Sequence, residues 1–342
     1  MLSKKTKLIY LLLIIKMSLS QNVWGQDLHF SQFYETSLLR NPSFAGMYNG
    51  DYRIQSVYRN QWSSLATPYQ TASLNADIKL PVGKGDDFMT LGLQIITDKA
   101  GSVALNSNHL LPAINYHKSL SSNRNTYLAL GFMGGIVSRR IDFSRITTNN
   151  QYDGFSYNGS LPSGELFNSN YSFLDMNVGM SFHTTLGENE QHLIFGGVAY
   201  HHFNKPINSF YKNINHLPKM VFSGGLKLNA DRLNYVTFHA DYSKQAQYQM
   251  TIMGILLSHK LGDGDNLGNV FHAGAMYRNN DAFIPVIKLD LVPLSFSLSY
   301  DVTISPNITS SQGTSGIEFS VSYINFLPTQ NSSRDKVRCP RF

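Results

Sequence analysis

Cysteine is all but missing from this chain: of 342 residues only Cys339 carries a thiol, so no disulfide can staple the fold internally. Charge is scarce too, at 15% Asp, Glu, Lys and Arg, against roughly 25% in soluble domains. No segment approaches roughly 18 consecutive apolar residues, which excludes membrane-spanning helices. The formal charge of +6 includes Lys4, Lys5 and Lys7 and a basic tail. No basic stripe runs along the body, and no nucleic-acid partner is expected. HExxH motifs and Cys/His clusters are absent, so no metal site or other cofactor is expected. The adjacent His201 and His202 would point to opposite faces of a strand and could not chelate together. Ser181 with His183, or Ser223 with His239, gives a nucleophile and a base without a third member or an oxyanion hole, so the chain does not read as an enzyme. Gly134-Gly135, Gly196-Gly197 and Gly224-Gly225 lie inside strand-like runs and read as bends or close packing, not phosphate cradles.

What is present is a two-residue rhythm. In 294–303 Leu294, Phe296, Leu298, Tyr300 and Val302 alternate with Ser295, Ser297, Ser299, Asp301 and Thr303, and after a turn-rich stretch Ile317, Phe319, Val321 and Tyr323 alternate with Glu318, Ser320 and Ser322. Successive side chains of a strand point to opposite faces, so each run has an apolar and a wet side. Such a hairpin fits a half-exposed soluble sheet or a transmembrane barrel with lipid outside and water inside. Further clear runs are 173–183, 219–229 and 234–242. Weaker ones are 52–59, 69–79, 89–97, 107–117, 126–139, 191–203, 249–260, 269–278 and 283–290, about fourteen in all. Most have the length of roughly nine to thirteen residues that a tilted strand needs to cross a bilayer, whereas strands of soluble proteins centre on roughly five or six. Length therefore decides for the membrane, and the expected fold is an all-β, antiparallel up-and-down barrel of about 14 strands.

Residues 1–25 read as a secretory signal peptide, with lysines first, an apolar run over 8–15 and Val23-Trp24-Gly25 at the cleavage site. No cysteine follows that site, so no lipid anchor is expected there. The expected organisation is a signal peptide over 1–25, a periplasmic or plug segment over 26–50, a barrel over 51–327 and a periplasmic tail over 328–342. The connections at 81–87, 119–125, 186–190, 230–232, 261–268 and 291–293 are short. The long ones, 141–171, 204–217 and 304–315, all fall on the opposite end, as in outer-membrane barrels with long external loops. An even strand number then puts both termini in the periplasm. Residues 26–50 carry helical potential over 32–39 that stops before Asn41-Pro42. Phe30 and Phe33 are expected to anchor this segment against the barrel mouth. The inward face carries Arg59, Asp77, Asp175, Lys227, His239, Asp241, Lys288, Asp290, Asp301 and Glu318. Charges held away from water need partners, so Arg59 is expected to meet Asp301 or Glu318.

Several stretches taken together resemble a known family: QDLHFSQFY at 26–34, NPSFAG at 41–46, YRNQW at 58–62, SYDVTIS at 299–305, SGIEFSVSY at 315–323 and RCPRF at the end. In this order they resemble the PorP/SprF family, outer-membrane proteins of the type IX secretion and gliding machinery. The chain departs from the family pattern at Leu28, where a proline is common, and at Tyr300-Asp301-Val302, where Tyr-Asp-Tyr is common. The resemblance implies a non-enzymatic component in the outer membrane of a Gram-negative bacterium. Its implied partners are outer-membrane lipid, a secreted adhesin with a type IX sorting domain, and the periplasmic ring lipoprotein with its associated subunits. The alternative is a passive channel or hydrophobic-solute transporter. Phe30, Gln32, Phe33, Tyr34, Arg59, Gln61, Trp62, Tyr300, Asp301, Ser305 and Glu318, all within these motifs, are the residues expected to seat the plug or bind a partner.

Overall fold

The computed structural model describes residues 27–61, 68–83, 85–121, 125–165, 168–187, 191–211, 213–262, 268–304 and 316–328. Trp62, Ser305, the expected signal peptide and nearly all of the expected tail lie outside them. Each alternating run has become a strand: β1 (Tyr52–Gln61), β2 (Tyr69–Pro81), β3 (Phe88–Ala100), β4 (Leu105–Ser119), β5 (Tyr127–Arg140), β6 (Asn170–Leu186), β7 (His192–His201), β8 (Lys219–Asn229), β9 (Asn234–Gln245), β10 (Tyr248–Leu261), β11 (Asn269–Arg278), β12 (Ala282–Leu291), β13 (Leu294–Thr303) and β14 (Gly316–Asn325). Every strand pairs antiparallel with its neighbours in sequence, and β1 closes on β14 with Tyr52 opposite Asn325 and Arg59 opposite Glu318. The result is the expected closed barrel of 14 strands. Closure leaves no sheet edge with unpaired backbone groups, a requirement inside a bilayer.

The period-two pattern sorts the wall into two surfaces. On β13 Leu298, Tyr300 and Val302 face out while Ser297, Ser299 and Asp301 are buried inside, and Ile54, Leu74, Leu110, Ile136, Leu257 and Ile287 continue the outer apolar band. No helix among the described residues is long and apolar enough to cross a membrane. The two long described connections, 141–169 and 202–218, share one end of the barrel with the tight ones at 101–104, 246–247 and 279–281. The other end carries the turns at 82–87, 230–233 and 292–293, together with the start of β1 and the finish of β14.

Residues 27–50 run through the lumen. Gly50 adjoins the start of β1 at the turn end, where a Cβ would meet Asn325 O at 3.0 Å. Asp27, by contrast, lies beside His202, His216 and Lys219 at the long-loop end. The strands do start and finish at the same end, but the segment before β1 threads back up the barrel and carries Asp27 to the opposite one. Within it the chain forms a 3-10 turn (Phe33–Glu35), one short helix, α1 (Ser37–Arg40), and a second 3-10 turn (Pro42–Phe44). Helical potential gives out where expected, because Pro42 forces Asn41 into extended backbone. The Asn41 side chain then caps the next turn, accepting from Ser43 N at 2.9 Å.

Candidate functional site

The luminal segment is held to the wall by charges that the strand register turns inward. Glu318 on β14 accepts from two successive backbone amides, Ser31 N at 2.6 Å and Gln32 N at 2.7 Å, while Gln32 Nε2 donates to the Glu318 carbonyl at 2.9 Å. The guanidinium of Arg59 on β1 sits 3.1 Å from Glu318 and 3.0 Å from Asp301, so the expected pairing is made with both carboxylates. Arg278 on β11 reaches Asp301 at 2.9 Å and donates to Ser31 Oγ at 2.9 Å. Two arginines, two carboxylates and two chain amides thus form one buried network, in which each charge has a counter-charge and hydrogen bonds. Removing one member would strand the others without water.

Two further pairs fasten the middle. Arg40 donates to Asp241 on β9 at 2.8 Å and lies over the Phe33 ring at 4.8 Å, and Lys288 on β12 donates to Glu35 at 2.7 Å. Phe33 and Tyr34 pack with Ile252, Leu256, Met276 and Ile284. Phe33 and Tyr34 are therefore inside the lumen, against inward residues of β10, β11 and β12. Nearer the turn end, Asp77 on β2 takes both Arg53 from β1 (2.9 and 2.8 Å) and Gly46 N (2.8 Å). Gly46 has φ +79°, and a Cβ there would lie 2.2 Å from Thr90 Oγ1, so no other residue fits without displacement.

Asn41-Pro42-Ser43 lies against bare wall. A Cβ on Gly131 of β5 would stand 2.5 Å from both Pro42 C and Ser43 N, and one on Gly179 of β6 would stand 1.8 Å from Asn41 Oδ1. Gly131 and Gly179 face each other in register. Asn41 Nδ2 donates to the carbonyls of Met180 on β6 and Val198 on β7, and Asn115 Nδ2 on β4 donates to Ser43 O and Ala45 O. The wall residues here are small because backbone, not side chain, has to fit.

Above this packed zone a cavity of about 870 Å³ occupies the long-loop end. Its wall includes Arg59, Gln61, Asp98, Arg139, Arg278 and Asp301, with Leu28 and His29 of the luminal segment below. The cavity described beside Glu35, Ser37, Tyr48 and Ser322 has only about 40 Å³. At one side of the vestibule Asp27 sits 2.8 Å from His202 Nε2 and 3.1 Å from His216 Nε2, and Asp175 sits 2.6 Å from His202 Nδ1. Burial alone would push the Asp27 carboxyl up, but His202 and Lys219 outweigh it and hold it well below the ordinary carboxylate range. Burial works against charge on His202 in the same way, and the two carboxylates overcome it, raising the imidazole to about 9.

Of the sequence-selected residues, Phe30, Gln32, Phe33, Tyr34, Arg59, Asp301 and Glu318 are buried in the lumen, and Gln61 lines the vestibule. Tyr300 is 48% exposed on the outer face, where the alternation puts it, and does not join them. Sequence reasoning missed Asp27, Glu35, Arg40, His202, His216 and Arg278. Glu35 and Arg40 carried a usable signal, since two opposite charges in an otherwise aromatic and apolar stretch call for two partners elsewhere. His202 carried none: β7 ends at His201, and the left-handed backbone of His202, φ +56°, turns it inward beside its neighbour.

Solved barrels resemble the fold at low identity. The P. putida toluene transporter TodX matches with TM-score 0.49 and 10% identity, over 86% of this chain and 95% of that one. A Pseudomonas aeruginosa FadL homologue matches with TM-score 0.49 and 8% identity, over 84% and 93%. The KdgM porin matches with TM-score 0.37 and 6% identity, over 79% and 98%. A search of curated proteins by sequence gave no match. The family model described as type IX secretion system membrane protein PorP/SprF matches residues 22–323, and this outer-membrane barrel belongs to that family.

Proposed function

We propose that the protein is a non-enzymatic component of type IX secretion that holds part of a secreted surface protein in the vestibule at its long-loop end. On this reading the long loops are external and the turn end, with the finish of β14, faces the periplasmic ring of the machinery. Residues 26–50 act as a built-in plug. One observation carries the reading: the lumen is filled by the chain's own residues, fastened by buried ion pairs, while a polar vestibule of about 870 Å³ stays above them. A solute channel needs a continuous path, and a fastened plug opposes one. A docking barrel needs a pocket of mixed charge, and Arg139, Asp98 and Arg278 supply it.

Conductance in planar bilayers tests the stopper. The intact protein is expected to be closed, and a chain lacking residues 26–50 is expected to conduct. Persistent large open channels in the intact protein would overturn the proposal in favour of a passive channel. Pull-down of the tagged protein from solubilised envelope tests the other half: a secreted protein with a type IX sorting domain should come with it. Deletion should remove one surface adhesin while leaving nutrient uptake unchanged.

A further inference from the structure

Asp27, His202 and His216 come together from three places in the chain: the beginning of the luminal segment, the residue after β7 and the connection leading to β8. The ligand atoms of the three all lie within 4.8 Å of one another, and the two imidazole rings stack with centroids 4.0 Å apart. Each ring places its Nε2 beside the Asp27 carboxylate, at 2.8 Å and 3.1 Å. Neighbouring groups fix how. The Asp175 and Asp27 carboxylates can only accept, so both His202 nitrogens, Nδ1 at 2.6 Å and Nε2 at 2.8 Å, carry protons, and a metal would take the place of the Nε2 proton. A carboxylate behind an imidazole in this way is the usual support of a metal-bound histidine. His216 Nε2 also lies 3.2 Å from the Gln245 amide nitrogen, which donates to Leu217 O at 3.0 Å.

Without a proton on either Nε2, two nitrogen lone pairs would face two carboxylate oxygens. Such a point demands positive charge between them. Added protons can supply it, and Lys219 Nζ, 3.5 Å from Asp27 Oδ2, supplies a share from the side. Two imidazole nitrogens and a carboxylate within 4.8 Å of one another are equally a ligand set for a divalent first-row metal, and too rich in nitrogen for magnesium or calcium. The placement is also built at a cost. His202 holds a left-handed φ of +56°, uncommon for a residue with a side chain, and Asn177 Oδ1 accepts from its backbone N at 3.1 Å to keep it there. All three residues line the vestibule, which leaves room for a fourth ligand.

We propose that Asp27, His202 and His216 bind one divalent transition-metal ion, zinc by preference, with Asp175 positioning His202. The ion clasps the first residues of the luminal segment to the β7–β8 connection. Zinc fits because it accepts three protein ligands with an open fourth position and imposes no geometry of its own. The site does not depend on a client being present, so its failure would leave the secretion role standing.

The test uses the full mature chain in detergent, purified without a polyhistidine tag and stripped with a chelator. Cobalt titration followed by visible absorption, with zinc as competitor, should show one ion per folded barrel. His202→Ala combined with His216→Ala should abolish that uptake. Asp175→Asn should weaken binding by about 10- to 100-fold, as loss of such a supporting group does elsewhere. His259→Ala, at an exposed histidine outside the cluster, should bind as the unaltered protein does. Retention of the heat-modifiable band on a gel shows that each variant is folded, and Asp27→Asn replaces any that is not. A folded, unaltered barrel that takes up no stoichiometric cobalt or zinc overturns the proposal, as does undiminished uptake by the double variant.

Discussion

Between Ser31 and Gly46 hydrogen bonds and ion pairs join the luminal segment to the wall, whereas above Asp27 similar residue types face a cavity. In the lower zone Glu318, Arg59, Asp241, Lys288 and Asp77 meet the segment or a counter-charge at 2.6–3.1 Å. In the vestibule Arg139, Asp98 and Gln61 come from the same inward face of the same kind of strand, with about 870 Å³ before them. Strand periodicity turns all of them inward alike. What separates them is the reach of the segment: where it runs, inward charge fastens it, and where it stops, inward charge meets only the wall's own groups, as Asp98 meets Thr71 Oγ1 at 2.6 Å.

The largest expected break in this contrast is Arg59→Ala. It leaves Glu318 and Asp301 buried with one guanidinium fewer between them, a loss of about 3–5 kcal/mol for a buried pair. The folded band on a gel should melt at markedly lower temperature, and the segment should become open to protease. A melting temperature equal to that of the unaltered protein would mean that the network contributes nothing to fastening. Next comes Gly131→Val. Its side chain would meet the backbone of Pro42 and Ser43, which cannot swing aside, so overpacking should cost about 1–3 kcal/mol. The segment should be displaced without unfolding the wall, seen as new conductance at an unchanged strand content by circular dichroism. Smallest in stability is Arg139→Ala on the half-buried vestibule wall, about 1 kcal/mol or less. Its effect should appear instead in partner capture, with less secreted protein recovered by pull-down at an unchanged melting temperature.

Much of the barrel was legible because a strand repeats every two residues and lipid enforces the repeat. A charge on the wrong face of 294–303 would be stranded in hydrocarbon, so Ser295, Ser297, Ser299 and Asp301 could be assigned inward from spacing alone. The Arg59–Glu318 pair was legible for a related reason, since a buried charge must find an opposite one. The luminal segment obeys no such repeat. Its three short turns are too brief to show a period, and its path up the lumen depends on Gly131 and Gly179 leaving space, which the alternation at those positions does not announce. The vestibule cluster was the least visible part. Asp27, His202 and His216 lie far apart in sequence, and His202 breaks the very rule by which it was judged.

The sequence by itself determined a closed wall with an apolar outside and a charged inside, because side-chain direction in a strand is local and the bilayer punishes every exception. Only the tertiary structure decided that residues 27–50 run back through that wall, which inward charges they satisfy and which they leave to the vestibule. Those outcomes rest on contacts between residues hundreds of positions apart, such as Ser31 with Glu318, and no local repeat encodes them.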